Sequence, residues 1–223
     1  MNIFDIIGPV MVGPSSSHTA GAVRIGHTAR KLLREPVRDA EILLYGSFLV
    51  SGKGHGTDCA IVAGLLGMKE DDRNIPDSFR IARERGMSFR FGEATELVDA
   101  HPNTAVLKLT GESGKKLELV AESVGGSRIN IRTLNGFPAD FSGESPTLIV
   151  YNQDRPGLVS EVASMLSRED VNIATMHLHR SNRGGTGVMV IECDQEVPKS
   201  TRTKLSLAEG IKKVTYYSLK DQD

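Results

Sequence analysis

The chain has 223 residues, enough for one large domain or two small ones. Its 27 basic and 28 acidic residues nearly cancel, which argues against a basic nucleic-acid-binding surface. No run reaches the roughly 18 to 20 apolar residues that cross a bilayer, and residues 1–5 lack the basic start of a signal peptide. We therefore expect a cytoplasmic protein that binds neither nucleic acid nor membrane. Cys59 and Cys193 form neither a metal-ligand spacing nor a disulfide framework.

The first motif is the loop over residues 13–19, with the sequence GPSSSHT. Apolar residues at spacings of three and four follow it and predict a helix over 17–33. A serine before such a run is the usual N-cap, and a helix start favours a carboxylate or phosphate. His18 lies at this start and can exchange a proton near neutral pH. The alternative is an ordinary capped helix with an incidental histidine.

A second loop of the same kind follows. Residues 39–48 are short and apolar and predict a strand. The glycine-rich loop over 51–58 then carries His55 and Thr57, and residues 59–66 predict another apolar helix. The chain thus repeats a small-residue loop, a histidine, a threonine and a helix.

The next region predicts a solvated helix over 76–85 and then an antiparallel sheet, so the first domain is expected to be α+β. The sheet segments alternate apolar and polar residues, and they are 88–91, 105–109, 116–120 and 128–131. Residues 111–114 predict a hairpin turn. His101 and Asn103 lie together in a turn before the second segment, where they either bind a ligand or simply form the turn.

The pattern breaks between residues 137 and 145, so we place domains at 1–140 and 145–223. The second domain alternates strands and helices at 147–151, 157–168, 172–179, 187–193, 200–209 and 214–219. The order β-α-β-β-α-β predicts a ferredoxin-like fold. His177 and His179 share one strand face, but a third metal ligand is lacking nearby, which favours an ordinary solvent-facing pair.

The loop over 152–159, NQDRPGLV, resembles the signature turn of ACT domains, which pair side by side and bind amino acids at the pair interface. The resemblance implies self-association and an effector site at Asn152, Asp154, Pro156 and Gly157. Gly157 lets helix N–H groups meet a carboxylate, and the other two polar side chains can accept from an α-amino group. A pairing module without an effector is the alternative.

Three motifs in order, over 13–19, 52–58 and 101–103, followed by an ACT-like domain, closely resemble the β subunit of iron–sulfur-dependent bacterial L-serine dehydratase. The resemblance implies conversion of L-serine to pyruvate and ammonia. It implies an N-terminal domain like the allosteric substrate-binding domain of some phosphoglycerate dehydrogenases. It further implies a partner α subunit that holds a [4Fe-4S] cluster, and activation by a monovalent cation such as K⁺.

Eliminating water from serine requires removal of the α-proton and departure of the β-hydroxyl, so a positioned base and groups that fix the substrate are needed. By resemblance, we expect His55 as general base and Thr57 as a hydrogen-bond partner of the substrate, with His18 holding substrate or orienting the base. Substrate-binding roles are expected for Ser16, Ser17, His101 and Asn103.

The sequence leaves two alternative functions. A non-catalytic regulatory subunit that only senses amino acids has no need of a general base, so His55 discriminates it from the enzyme. A hydrolase that uses Ser15, Ser16 or Ser17 with His18 is disfavoured, because adjacent residues rarely form a nucleophile–base pair and the chain lacks a Gly-x-Ser-x-Gly elbow here.

Overall fold

The computed structural model describes residues 10–220. The expectation about a signal peptide, which concerned residues 1–5, lies outside the described residues. The chain divides into two compact units, one ending at Gly136 and the other beginning at Phe137. Within residues 10–220, no helix combines the length and hydropathy needed to cross a bilayer.

The first unit packs helices on a mixed sheet. A π-helical turn, Ser16–Ala20, continues directly into the first helix. The helices, in chain order, are α1 (Gly21–Leu33), α2 (Ser47–Val50), α3 (Thr57–Leu65) and α4 (Ser78–Glu84). The strands, in chain order, are β1 (Val37–Tyr45), β2 (Ser88–Glu93), β3 (Thr104–Gly111), β4 (Lys116–Gly125) and β5 (Arg128–Leu134).

The strands of this unit lie in the order β2-β1-β3-β4-β5. β1 pairs with β2 in parallel, whereas the β1–β3, β3–β4 and β4–β5 pairs are antiparallel. The predicted hairpin over 111–114 is confirmed, since it joins β3 to β4.

Two details of the prediction are wrong. The strand expected over 39–48 ends at Tyr45, because Gly46 adopts a left-handed φ of 56° and turns the chain into α2. The segment over 88–91 does not belong to an antiparallel sheet, because α3 and α4 form a helical crossover that returns β2 parallel to β1.

α1 and α3 cross with their backbones in contact. A Cβ added to Gly26 would lie 2.3 Å from the Ile61 carbonyl oxygen, and one added to Gly64 would lie 2.1 Å from that of Val23. The two glycines therefore allow an approach that no larger residue permits. Because the π-helical turn continues into α1, this crossing sets the starts of α1 and α3 side by side.

The second unit begins with β6 (Phe137–Phe141) and continues as a second sheet with two helices. Its further elements are β7 (Thr147–Gln153), α5 (Leu158–Ser167), β8 (Ile173–Arg180), β9 (Thr186–Cys193), α6 (Lys199–Leu207) and β10 (Ile211–Tyr217). The sheet order β10-β7-β9-β8, with all neighbours antiparallel, confirms the predicted ferredoxin-like β-α-β-β-α-β arrangement and the α+β class.

The core of the second unit lies between its sheet and the two helices. Leu158, Val162 and Leu166 of α5 are fully buried against alternate residues of the central strands, among them Leu148 and Ile191. On the opposite sheet face the hydroxyl of Tyr217 donates to the carbonyl oxygen of Gly143 at 2.8 Å. Both faces of this sheet therefore carry packing contacts.

Candidate active site

Two predicted loops, over 13–19 and 51–58, meet through reciprocal hydrogen bonds. The Thr57 hydroxyl donates to the carbonyl oxygen of His18 at 2.8 Å, and the Thr19 hydroxyl donates to that of His55 at 3.0 Å. Each threonine thus holds the backbone of the other loop's histidine. This cross-link follows from the α1–α3 crossing, which brings the two helix starts together.

The first loop is fixed by its own hydroxyl groups. The Ser15 side chain accepts a hydrogen bond from the backbone N–H of His18 at 3.1 Å, which confirms a serine N-cap. The Ser15 carbonyl oxygen accepts from both Thr19 and Ala20, as expected where a helix opens with a π turn. The wide turn sets His18 on the side that faces α2.

The third predicted loop, over 101–104, packs against the beginning of α2. The backbone N–H of Phe48 donates to the Pro102 carbonyl oxygen at 3.2 Å. A Cβ on Gly46 would lie 2.7 Å from the same oxygen, so this contact requires glycine at that position. The structure therefore brings all three sequence motifs into one part of the first unit.

The centre of the site is a pair of half-buried imidazole rings. The ring centroids of His18 and His55 lie 4.9 Å apart. His18 Nε2 lies 3.0 Å from the Ser47 hydroxyl and 3.3 Å from the Ser51 hydroxyl, and its Nδ1 lies 3.2 Å from that of Ser17. His55 Nδ1 lies 3.1 Å from the Ser51 carbonyl oxygen. Imidazole rings held in place by hydroxyl and carbonyl oxygens suit proton transfer.

Sequence reasoning missed Ser47 and Ser51, although both contact His18. Ser47 lies inside the segment predicted as a strand, and Ser51 is the first residue of the loop predicted from its glycines. The signal that could have found them is Gly46, since an isolated glycine in a strand pattern often marks a break. A helix beginning there places Ser47 and Ser51 one turn apart on the same face.

The His18 side chain has a pKa below its ordinary value. Burial, which disfavours the charged imidazolium, is the larger cause, and repulsion from His55 acts in the same direction. The hydrogen bond with Ser47 opposes them. His18 is therefore driven toward the neutral form.

The lowered pKa of His18 predicts acid sensitivity of folding. The unfolded chain binds this proton at about pH 6.5 and the folded chain only at lower pH, so stability should fall as the pH drops below about 6.5. The test is the midpoint of urea unfolding between about pH 5 and pH 8. His18→Gln should lose this part of the pH dependence, and His177→Gln, at an exposed position in the second unit, should retain it. An unchanged slope in His18→Gln would contradict the prediction.

Thr57 does not lie where a substrate contact was expected. Its side chain is fully buried, and its hydroxyl proton is committed to the His18 carbonyl oxygen. No surface of this residue is left for a substrate. We assign Thr57 to positioning His18 rather than to direct contact.

The Thr57→Val variant, which keeps the shape and removes the hydroxyl, should lower the free energy of unfolding by about 1–3 kcal/mol. The cause is the loss of the hydrogen bond to His18. Thr57→Ser keeps the donor and should lose only about 1 kcal/mol through the missing methyl group. Urea unfolding measures both, and equal stability of Thr57→Val and wild type would refute the positioning role.

The remaining predicted substrate residues lie around the same loops. The backbone N–H of Asn103 donates to His101 Nδ1 at 3.2 Å, and the Asn103 side-chain amide donates to the Ser123 carbonyl oxygen at 3.5 Å. The Ser16 carbonyl oxygen accepts from the Ser127 hydroxyl at 3.4 Å. His101 and Asn103 thus brace their own turn, and their role toward a ligand stays a prediction.

The predicted effector loop of the second unit is tied down by its side chains. Asn152 is 4% exposed, and its amide donates to the Gln153 carbonyl oxygen. Asp154 Oδ2 accepts from the backbone N–H of Gly184 at 2.9 Å and from Arg180 at 3.2 Å, and these bonds hold the pKa of its carboxyl below the ordinary value. Asp154 therefore holds the loop, whereas Asn152 Oδ1 is buried without a hydrogen-bond partner among residues 10–220, and the role of both residues toward an effector stays a prediction.

Pro156 and Gly157 are exposed at the start of α5. Gly157 has a φ of 91°, which places a left-handed residue directly before the helix, and a Cβ there would meet no atom within 4 Å. The approach to the first N–H groups of α5 is therefore open. This is the part of the effector prediction that the geometry allows.

Within residues 10–220, no group of three or more His, Cys, Asp or Glu side chains could hold a metal ion. Cys59 and Cys193 lie in different units, and burial raises the pKa of both thiols, that of Cys193 to about 11. His177 and His179 stack at 6.4 Å without a third ligand among the described residues. The described residues do not fit an iron–sulfur cluster.

Comparison with known proteins shows which family this chain belongs to. The model described as "Serine dehydratase beta chain" matches residues 2–132, more than half of the chain, and the model described as "ACT domain" matches residues 146–206. The chain belongs to the serine dehydratase beta chain family. The predicted resemblance is therefore confirmed, and all three histidine-bearing motifs fall inside the beta-chain match.

Individual relatives agree with this family. The "Probable L-serine dehydratase, beta chain" of Bacillus subtilis (strain 168) is 43% identical over 96% of each chain. The "L-serine dehydratase, beta chain" of Peptoniphilus asaccharolyticus is 32% identical over 91% of each chain. The "D-3-phosphoglycerate dehydrogenase" of Bacillus subtilis (strain 168) is 27% identical over 79% of this chain but only 33% of its own length. The beta-chain relatives match nearly end to end.

Proposed function

We propose that this chain is the β subunit of an L-serine dehydratase, which converts L-serine to pyruvate and ammonia together with an α subunit. Residues 1–140 would contribute to the active site, and residues 145–223 would regulate it. The observation that carries the proposal is the His18–His55 pair, 4.9 Å apart and surrounded by hydroxyls, within the segment that the beta-chain model matches.

In this proposal His55 is the general base that removes the α-proton of serine. Its glycine-rich loop lets a substrate approach closely, and a neutral imidazole is ready to accept a proton near neutral pH. His18 stands beside it and orients the site through its serine contacts. The backbone N–H groups of Ser16 and Ser17, at the start of a helix, would hold the substrate carboxylate.

The departure of the β-hydroxyl falls to the partner in this proposal. A hydroxide is a poor leaving group. The described residues offer no ligand set that could hold a metal ion to act as a Lewis acid on it. We assign the [4Fe-4S] cluster to the α subunit, with K⁺ as an activating cation to which no site is assigned. The residues of this chain bind, orient and move the α-proton.

The test is co-expression with a candidate α subunit under anaerobic conditions, followed by a serine-dependent pyruvate assay. Activity should be absent from either chain alone and present when both are combined. A reconstituted, cluster-loaded complex that forms no pyruvate from serine would overturn the proposal. D-serine is the matched control substrate, since a base positioned for the L-enantiomer should leave it intact.

A non-catalytic amino-acid-sensing subunit is the second candidate. The observation that favours it is the match to a D-3-phosphoglycerate dehydrogenase. In that protein, which is named for another activity, the region similar to this chain makes up one third of the length. The two candidates differ at His55. A sensor would keep the activity of its complex when His55 is replaced, whereas the enzyme would lose it.

Regulation by an amino acid belongs to the same proposal. The effector's carboxylate would meet the open N–H groups at the start of α5 beside Gly157, and paired ACT domains would bring two such sites together. Calorimetric titration with serine and related amino acids, and sedimentation of the isolated chain, would test binding and self-association.

A further inference from the structure

Ser51 contacts both histidines of the site through different atoms. Its carbonyl oxygen lies 3.1 Å from His55 Nδ1, and its hydroxyl oxygen lies 3.3 Å from His18 Nε2. The hydroxyl also donates to the Ser47 carbonyl oxygen at 2.9 Å. Ser51 lies in the loop directly after α2 and was assigned no role by sequence reasoning.

The contact with His55 determines where the proton of that ring lies. A carbonyl oxygen can only accept a hydrogen bond, so Nδ1 of His55 must carry the hydrogen. A neutral imidazole has one N–H, and Nε2 of His55 therefore has a free lone pair. Because the acceptor belongs to the backbone, this arrangement does not depend on the side chain of residue 51.

Counting protons gives the opposite tautomer for His18. The single hydroxyl proton of Ser51 is used on the Ser47 carbonyl oxygen, so Ser51 Oγ can only accept. The Ser47 hydroxyl lies 3.1 Å from Ser51 Oγ and can donate to it. His18 Nε2, which lies within reach of both oxygens, then supplies the remaining proton as a donor.

The alternative tautomer of His18 leaves contacts without a proton. If Nε2 carried a lone pair instead of a hydrogen, the Ser47 hydroxyl would donate to it and could no longer donate to Ser51. The Ser47–Ser51 contact at 3.1 Å and the Ser51–His18 contact at 3.3 Å would then join two acceptors each. Burying such unpaired acceptors against each other costs free energy.

We propose that Ser51 is a positioning residue that sets the two histidines in opposite tautomers, with His55 protonated on Nδ1 and His18 on Nε2. The role of the free Nε2 in catalysis rests on the proposed function. The tautomers themselves do not.

The opposite tautomers divide the work between the two rings. Because His55 Nδ1 donates to the Ser51 carbonyl oxygen, its Nε2 is the basic nitrogen. No recorded hydrogen bond among the described residues occupies this Nε2. His18 has Nδ1 as its acceptor, which takes the Ser17 hydroxyl proton at 3.2 Å, and the Ser17 oxygen then accepts from the Ser15 hydroxyl at 3.4 Å. His18 therefore orients the neighbouring groups, and His55 remains as the base.

Nitrogen NMR of the full chain labelled with ¹⁵N-histidine tests the assignment at a pH where both rings are neutral. Long-range proton–nitrogen correlations distinguish Nδ1–H from Nε2–H, and spectra of His18→Gln and His55→Gln assign the signals. His55 should appear as Nδ1–H and His18 as Nε2–H. Either ring in the other tautomer in the wild type would overturn the proposal.

Ser51→Ala removes the hydroxyl and keeps the carbonyl, so it should shift His18 to a mixture of tautomers and leave His55 unchanged. Ser51→Thr retains a hydroxyl and should preserve both signals. Ser206→Ala, in α6 of the second unit, is the control for losing a serine hydroxyl outside the site. Unchanged His27 and His101 signals would show that the first unit of the variant folds. An unaltered His18 signal in Ser51→Ala would refute the role of the hydroxyl.

In the α/β complex, Ser51→Ala should lower kcat about tenfold, change its pH profile and recover with threonine. Correct tautomers in a complex without lyase activity would overturn the proposed function and leave this inference standing. Shifted tautomers with an unchanged kcat and pH profile would overturn the catalytic consequence of Ser51.

Discussion

His55→Ala is expected to lower the kcat of the α/β complex by about 10²- to 10⁴-fold, the range for loss of a general base. The imidazole is the proposed acceptor of the α-proton, and no other described histidine contacts His18 as closely. Stability should change little, because the half-buried ring makes its recorded hydrogen bond to a carbonyl oxygen of its own loop. The measurement is steady-state pyruvate formation at several serine concentrations.

The matched control is His177→Ala, an exposed histidine of the second unit that should leave kcat unchanged. Separating kcat from KM decides the role of His55. A raised KM with normal kcat would place His55 in binding rather than in proton transfer. Near-normal turnover would remove it from the site and favour the sensing subunit.

Gly64→Ala is expected to give the largest loss of stability, about 3 kcal/mol or more. The added Cβ would lie 2.1 Å from the Val23 carbonyl oxygen and 2.6 Å from the His27 backbone nitrogen, and neither backbone atom can move without separating α1 from α3. In an open helix the same change would stabilise by roughly 0.5–1 kcal/mol. Urea unfolding therefore tests both the sign and the size of the change in the free energy of unfolding.

Gly86→Ala is the matched control for this loss. Gly86 has a left-handed φ of 74° with no atom within 4 Å of its Cβ position, so only backbone strain of roughly 1 kcal/mol is expected. A Gly64→Ala protein as stable as Gly86→Ala would show that α1 and α3 separate at little cost. The site would then not depend on their crossing.

The sequence by itself determined the element order of the second unit, the first helix and the family. Caps, glycines and apolar spacing are local signals, and so the first helix and the β-α-β-β-α-β order of the second unit could be predicted from neighbouring residues. The histidines at 18 and 55 could be singled out because each lies at a loop before a helix. Their motifs carried the resemblance that the comparisons confirm.

Contacts between residues far apart in the chain needed the tertiary structure. The parallel β2, the burial of Thr57 and the loop-holding role of Asp154 each depend on partners from 26 to 49 positions away. Alternation and spacing carry no information about such partners. Thr57 and Asp154, which were chosen from sequence as ligand contacts, therefore also hold the backbone of neighbouring loops.

The proton arrangement of the site is likewise a tertiary property. The sequence showed two histidines that can exchange protons, but which nitrogen carries the hydrogen depends on the acceptors that surround each ring. Those acceptors are Ser47 and Ser51, which reach His18 only because Gly46 turns the chain and because Gly26 and Gly64 let two helices touch. The sequence singled out the two histidines, and the helix crossing decided which hydroxyl and carbonyl groups surround each ring.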